Sequence, residues 1–326
     1  MIEVSTKANP PFRARFEQAV YTDRSAAQIE ALARDIKTGG DGLELAAALF
    51  RAGFMAPEAL ARTYDAAALG WQGEAVGGPI IDIADHGEAL VPDALWDPFW
   101  ALVNASGSGG GGALDVTART ADLGRHLSEA FSARLGAAYY AYPFVRQTAA
   151  KGLPPQFDLD TLALCPEGSL GQAFYQQIVD NGFDLEVLDR DVLALSSLAA
   201  PHDFINTRML QSHDLIHLLA GYELTSLHEV GISAFQLAQC GHGYSAMFLA
   251  VVATGAAASD NPGALPFVLE TVLGAWTHGR RSASLIPLDW QAVWDQPIAT
   301  IRQTLGMSAF NSPFPADIIE QLAKAA

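Results

Sequence analysis

His213-Asp214-Leu215-Ile216-His217, with Glu229 after eleven intervening residues, sets two imidazoles and two carboxylates in a spacing that one divalent metal could collect. Histidines at i and i+4 of a helix stack on one face, about 6 Å apart along the axis. Asp214 and His217 are three residues apart, so Asp214 borders the same stripe. Ile205, Met209, Ile216 and Ala220 fall on the His213 side, and the stripe therefore reads as buried. Ionisable side chains on an apolar face are costly unless something pairs them, and a cation would do so. The plainer alternative, a capping glutamate beside two ordinary core histidines, accounts for Glu229 but not for the pair.

The elements that must position these groups are also legible. Gly221 is placed to end the first helix, because glycine adopts positive φ freely. Tyr222 to Thr225 make a short connection, and Ser226-x-x-Glu229 has the form of a capping box opening a second helix. So short a loop makes the two helices antiparallel neighbours, with axes roughly 8–10 Å apart. His217 then lies about one turn from the end of its helix and Glu229 about one turn into the next, at similar depth.

The rest of the chain reads helical as well. Segments 23–38 (with a capping signal at Ser25-x-x-Gln28), 41–55, 57–69, 92–104, 115–151, 169–180, 203–220, 226–254, 262–278, a stretch within 290–305, and 315–325 carry helical patterns. Ile80 to Ile83 is a short extended piece, too isolated to build a sheet. Gly107, Gly109 and Gly112 formally satisfy G-x-G-x-x-G, but no strand precedes them, and a glycine tract of this kind is a loop rather than a dinucleotide site. The expected fold is all-α, a multi-helix bundle with the metal site between two antiparallel helices. Residues 1–140 form an N-terminal helical region and 141–326 a domain carrying the metal motif.

Composition narrows the function classes. The 326 residues include 36 acidic and 19 basic ones, a net charge of −17, which disfavours nucleic acid as a partner. Half of the residues are hydrophobic and mean hydropathy is +0.16, yet no apolar run approaches the roughly 20 residues needed to cross a bilayer. The first residues lack an apolar core, so no secretory signal is expected and a cytoplasmic location is. Cys165 and Cys240 form no spaced motif, which suggests a reducing compartment. Membrane contact, if present, would be peripheral and hydrophobic, since the charge gives no attraction to anionic lipid.

Residues His213, Asp214, His217 and Glu229 match the H-D-x-x-H-x(11)-E motif of the Coq-four family (coenzyme Q biosynthesis protein four) at every defined position. Two further segments are similar to that family. One is Pro166-Glu167-Gly168-Ser169-Leu170-Gly171 with Asp180-Asn181-Gly182; the other is Trp276-Thr277-His278-Gly279-Arg280-Arg281 with Asp289-Trp290 and Trp294. The three ordered matches cover roughly residues 150–310, while the N-terminal 140 or so do not resemble the family. The resemblance implies a helical protein of ubiquinone biosynthesis, peripheral on the inner face of a membrane, with one divalent metal held by His213, Asp214, His217 and Glu229 as metal ligands and catalytic residues. It implies replacement of the C1 carboxyl of a prenylated aromatic precursor by hydroxyl, an oxidative decarboxylation. The alternative it carries is a non-catalytic prenyl-lipid-binding scaffold for the other ubiquinone-biosynthesis enzymes, with a structural metal. A homo-oligomer fits either role.

Two histidines with one or two carboxylates suit hydrolytic zinc. They also suit non-haem iron, whose two-histidine, one-carboxylate face binds substrate and oxygen together. Zinc has no redox chemistry, so the hydroxylation would need iron, manganese or a co-substrate oxidant. A zinc protease is disfavoured: Asp214 stands where H-E-x-x-H carries its general base and reaches about 1.5 Å less far. Ser233, Gln236, Cys240 and Gly243 continue the Glu229 face, leaving room for an isoprenoid tail or for a close helix crossing. Arg280 and Arg281 could take an anionic head group, though adjacent arginines near a helix end more often stay solvated or stabilise its dipole. Trp276, Trp290 and Trp294 read as core anchors. His228 projects about 100° away from Glu229 and is left out of the ligand set. His242 and His278 show no partner.

Overall fold

Alanine, leucine and other side chains without a branch at Cβ recur along the chain and favour helix. The computed structural model describes residues 9–84, 87, 90–107, 113–186 and 189–325. Among the described residues there are sixteen α-helices, three one-turn 3-10 segments and no strand. The first half contains α1 (Pro10–Ala19), α2 (Ala26–Lys37), α3 (Leu43–Phe54), α4 (Leu60–Gln72), α5 (Asp93–Gly107), α6 (Ala113–Gly124), α7 (Glu129–Tyr139) and α8 (Val145–Ala149). The second contains α9 (Leu159–Ala163), α10 (Leu170–Asn181), α11 (His202–Ala220), α12 (Ser226–Cys240), α13 (Gly243–Ala257), α14 (Ala264–Arg281), α15 (Ile298–Leu305) and α16 (Ile318–Ala325). The fold is all-α, as the hydrophobic periodicity implies. Residues 108–112 of the glycine tract lie outside the described residues.

Three expected elements come out differently. The Ser226–Glu229 capping box does not form, because Thr225, extended at φ −133° and ψ 155°, takes the cap position and Ser226 is already helical. The segment expected to be one helix over 226–254 is broken at Gly241, whose φ of 71° ends α12 before α13 begins. The run over 115–151 is three helices, α6, α7 and α8.

The principal core draws on both ends of the chain, from Ile29, Leu49, Tyr64 and Trp71 to Phe235, Leu269, Trp276 and Met307. Helix α4 lies along α14: the Tyr64 and Trp276 rings are 4.9 Å apart, and Trp276 Nε1 donates to Asp65 at 2.8 Å. Trp71 Nε1 donates to Glu270 at 2.9 Å. On its other side α14 crosses α12 at Gly279, where a Cβ would stand 2.7 Å from Ala238 Cβ and 2.9 Å from the Phe235 carbonyl. Only glycine allows that crossing. An aromatic cluster of Phe16, Phe50, Phe54, Trp96, Phe99 and Trp100 packs α1, α3 and α5 together, and Met247 and Val251 of α13 join its core. The N-terminal helices thus brace α13 and α14, and α14 in turn braces α12. No helix among the described residues is long and apolar enough to cross a membrane.

Candidate metal centre

Helix α11 carries His213, Asp214 and His217 on successive turns and ends at Gly221, whose φ is 79°. A Cβ there would also lie 2.7 Å from Ala309 Cβ, so both conformation and proximity require glycine. Helix α12 then runs back past α11. Glu229 meets His217 and His213, and Gln236, two turns later, meets His213 and the Met209 carbonyl, so the two helices pair in opposite directions. Because Thr225 serves as cap and donates its own hydroxyl to the Ala316 carbonyl, the Glu229 carboxylate is released toward the histidines.

Three contacts define the centre. His213 Nε2 lies 3.2 Å from Glu229 Oε2, His217 Nε2 lies 3.2 Å from Glu229 Oε1, and the two Nε2 atoms are 3.2 Å apart. Asp214 completes a second grouping, in which one ligand atom each of His213, Asp214 and His217 lies within 4.8 Å of the others. Glu229 is tied to the imidazoles by the shorter contacts, and Asp214 borders them. The side chains are 1% exposed for His217, 19% for His213 and 37% for Glu229, so access is from the Glu229 side.

The hydrogen bonds behind the imidazoles decide what their front faces can do. His217 Nδ1 is 3.0 Å from the Tyr222 carbonyl, which can only accept, so Nδ1 carries the proton. In the neutral ring Nε2 is then a bare lone pair aimed at a carboxylate oxygen. That arrangement calls for a positive centre between them, a proton or a metal ion. His213 Nδ1 faces the Gln236 amide at 3.4 Å. Turned end for end, that amide offers either a donor or an acceptor, so it serves both states of His213. Donor atoms of a tetrahedral ion with bonds of ~2.0–2.1 Å stand roughly 3.3–3.4 Å apart, close to the spacings seen. The residues fit a divalent metal.

The charges agree with this geometry. Burial pushes the Glu229 carboxyl up, but the hydrogen bonds and charge of His213 and His217 outweigh it and hold it well below the ordinary range. Burial likewise opposes protonation of His213, and Glu229 and Asp214 reverse that, leaving His213 raised. Burial raises Asp214 against the opposing pull of the two histidines.

Other histidines are accounted for separately. His228 Nδ1 accepts the Glu223 backbone N–H at 2.7 Å, so it stays out of the ligand set. His278 and His242, for which the sequence shows no partner, both have one. Tyr222 donates its phenol to His278 Nδ1 at 2.9 Å, and His278 Nε2 donates to the Ser308 carbonyl at 2.9 Å. His242 Nδ1 meets Ser245 Oγ at 2.9 Å; burial, with the charge of His213 adding to it, brings this imidazole down to about 3. Tyr244 is a further phenol that sequence reasoning missed. Burial raises it and the charge of Glu229 adds to the rise, while bonds to Thr117 and Thr120 of α6 oppose both. No local pattern marks it, since its partners lie more than a hundred residues earlier.

The arginines of the C-terminal signature are not free. Arg280 is bound by both oxygens of Asp65 at 3.2 Å and by the Pro79 carbonyl at 2.6 Å, and Arg281 by Glu74 at 3.0 Å. Arg280 is buried rather than solvated, contrary to the simplest expectation for such a pair. Beside it lies a cavity of about 270 Å³ bordered by Pro79, Phe144, Ala238, Gly279 and Ala283. Ala238 is nine residues beyond Glu229, half a turn round α12, so this cavity opens on the far side of that helix from the metal centre. Gly243 does not continue the Glu229 face, since it falls past the break at Gly241 and opens α13, where a Cβ would lie 2.6 Å from Leu135 and the glycine serves close packing.

Comparison with known proteins follows the same stretch of chain. The family model for the coenzyme Q (ubiquinone) biosynthesis protein Coq4 matches residues 154–311. The ubiquinone biosynthesis protein COQ4 homolog, mitochondrial, of Drosophila ananassae is 26% identical over 155 residues, 47% of this chain and 56% of that protein. The mouse and human proteins of that name are each 25% identical, over 46% and 47% of this chain and 54% and 55% of their own lengths. The chain spans about half the length of the curated relatives it matches. A crystal structure described as a candidate ubiquinone biosynthesis protein from Nostoc punctiforme aligns with a TM-score of 0.49 and 24% identity, covering 66% of this chain and 97% of that one. Over residues 154–311 the chain is similar to the coenzyme Q (ubiquinone) biosynthesis protein Coq4 family.

Proposed function

We propose that this protein acts in ubiquinone biosynthesis, holds one divalent metal ion, zinc or iron, through His213, His217 and Glu229 with Asp214 alongside, and removes the C1 carboxyl of a prenylated aromatic precursor. The observation that carries the reading is the set of three 3.2 Å contacts among two imidazole nitrogens and one carboxylate. When bound, the ion would supply Lewis acidity toward the ring carboxylate and its neighbouring oxygen. The protein's own part is positional. Tyr222 and Gln236 set the two imidazoles, and Glu229 stays ionised. The half-exposed Glu229 side is where a ring carboxylate can approach.

Net replacement of carboxyl by hydroxyl breaks the ring–carboxyl bond and releases carbon dioxide. One atom of dioxygen goes to the ring carbon and the other to water, with two electrons from an external donor. The test is direct. Metal-free protein is reloaded with iron, manganese, cobalt or zinc and incubated with a prenylated 4-hydroxybenzoate, oxygen and a two-electron donor. Carbon dioxide release and product mass are then followed. The reading expects turnover with at least one metal, lost in folded His213→Ala.

The cavity beside Arg280 favours a second reading, a non-catalytic carrier of prenylated lipid that serves other enzymes of the pathway and keeps its metal for structure. Exposed Leu164, Phe183 and Val192 would suit peripheral membrane contact in either role. Inertness with every metal, together with retained lipid binding, selects the carrier.

A further inference from the structure

His217 is oriented by a backbone carbonyl, and that carbonyl belongs to a residue whose side chain is itself held in three ways. Tyr222 donates its phenol to His278 at 2.9 Å, and its ring stacks on Phe310 at 4.6 Å. Behind it, a Cβ on Gly231 would lie 3.0 Å from its Cε1, so α12 backs the ring directly. His278 is fixed in turn by the Ser308 carbonyl. Helix α15 and the segment after it also grip the end of α11: Phe310 N donates to the Ala220 carbonyl at 2.8 Å, and Arg302 of α15 donates to the carbonyls of Leu219 at 2.8 Å and Leu218 at 3.0 Å.

We propose that Tyr222 and His278 are positioning residues for the metal ligand His217, their side-chain hydrogen bond holding the Tyr222 carbonyl where it selects the tautomer that points Nε2 at the ion. This rests on the metal reading above. The chemistry is general. A ligating imidazole donates its other N–H to a fixed acceptor, and disturbing that acceptor costs ligand basicity and aim. Here the acceptor is a loop carbonyl just past a helix end: the N–H of its peptide plane donates to His228 Nδ1 at 2.7 Å, and the Tyr222 side chain holds the same residue from the other side. The phenol–imidazole bond adds a second constraint from α14, and it ties one arm of the metal centre to the C-terminal segment.

Cobalt(II) alone is the probe, because its visible ligand-field bands report coordination geometry without any substrate. Tyr222→Phe keeps the ring and its stacking but removes the donor, and His278→Leu removes the acceptor. His278→Asn restores an acceptor near the position of Nδ1. Each variant is checked for native helix content and titrated with cobalt. The proposal expects Tyr222→Phe and His278→Leu each to bind cobalt about 10-fold or more weakly, within the range typical for outer partners of a ligating histidine, with shifted bands. It expects His278→Asn to stay near wild type, and the double variant Tyr222→Phe with His278→Leu to be no worse than either single one. Wild-type affinity and an unchanged spectrum in folded Tyr222→Phe and His278→Leu would overturn the positioning role and leave the metal centre standing. Failure of the wild-type protein to take up cobalt would overturn both.

Discussion

Glu229→Gln separates what this carboxylate does for folding from what it does for a cation. The substitution keeps the side chain's shape and one acceptor oxygen, and its new amide can donate to a bare imidazole nitrogen. Folding should therefore change little. The Glu229 side chain is 37% exposed, so solvent screens its charge and the loss belongs with exposed pairs, at most about 1 kcal/mol. Even that loss is confined in pH. Glu229 is held below its unfolded value of 4.5, so its contribution is present above that pH and fades as pH falls through the lowered value. His213 is raised above 6.5, so its contribution is complete below that pH and fades as pH rises through the raised value. The pair thus supports folding most strongly between about pH 4.5 and 6.5. Cation binding should respond quite differently, because a direct ligand is gone. We expect cobalt affinity to fall by more than the roughly 10–100-fold seen for outer partners. Urea unfolding of the metal-free protein at pH 5.5 and 8.5, beside cobalt titration at neutral pH, gives both quantities. Cobalt bound by Glu229→Gln as tightly as by wild type would refute the reasoning, however small the folding change.

Three further outcomes follow from the same structure. Cation affinity should drop about tenfold or more for each pH unit below 6.5, because His213 must surrender a proton to the incoming ion, and calorimetry in buffers of different ionisation enthalpy would count that proton. Gly279→Ala places a Cβ 2.7 Å from Ala238 Cβ and should cost about 1–3 kcal/mol in urea unfolding by forcing α12 and α14 apart. Asp65→Ala leaves the Arg280 guanidinium, whose side chain is 3% exposed, without its carboxylate; with Asp65 itself 35% exposed the loss should be about 2 kcal/mol, read as a lowered denaturation midpoint.

Much of the centre was legible because its signals are local. Two histidines four residues apart, a glycine that can stop a helix and a four-residue connection specify a hairpin from chain geometry alone. The capping box failed for a non-local reason. Ser226 donates its backbone N–H to Glu320 at 2.8 Å, so the C-terminal helix stands where a local cap was expected. The break at Gly241 was hidden because α13 is apolar nearly all round, and a helix without a polar face has no period to interrupt. Arg280 misled for the opposite reason. Its carboxylate partner lies 215 residues away in α4, and no spacing rule reaches that far. Tyr222 reads as a loop residue in the sequence. Its importance appears only when its carbonyl and its phenol are seen to face two different histidines.

The most direct measurement is anomalous diffraction at the zinc or cobalt edge from crystals of metal-loaded protein. The account predicts one peak within about 2.0–2.2 Å of His213 Nε2, His217 Nε2 and an oxygen of Glu229. A metal peak away from these three side chains, or none there after loading, would contradict it.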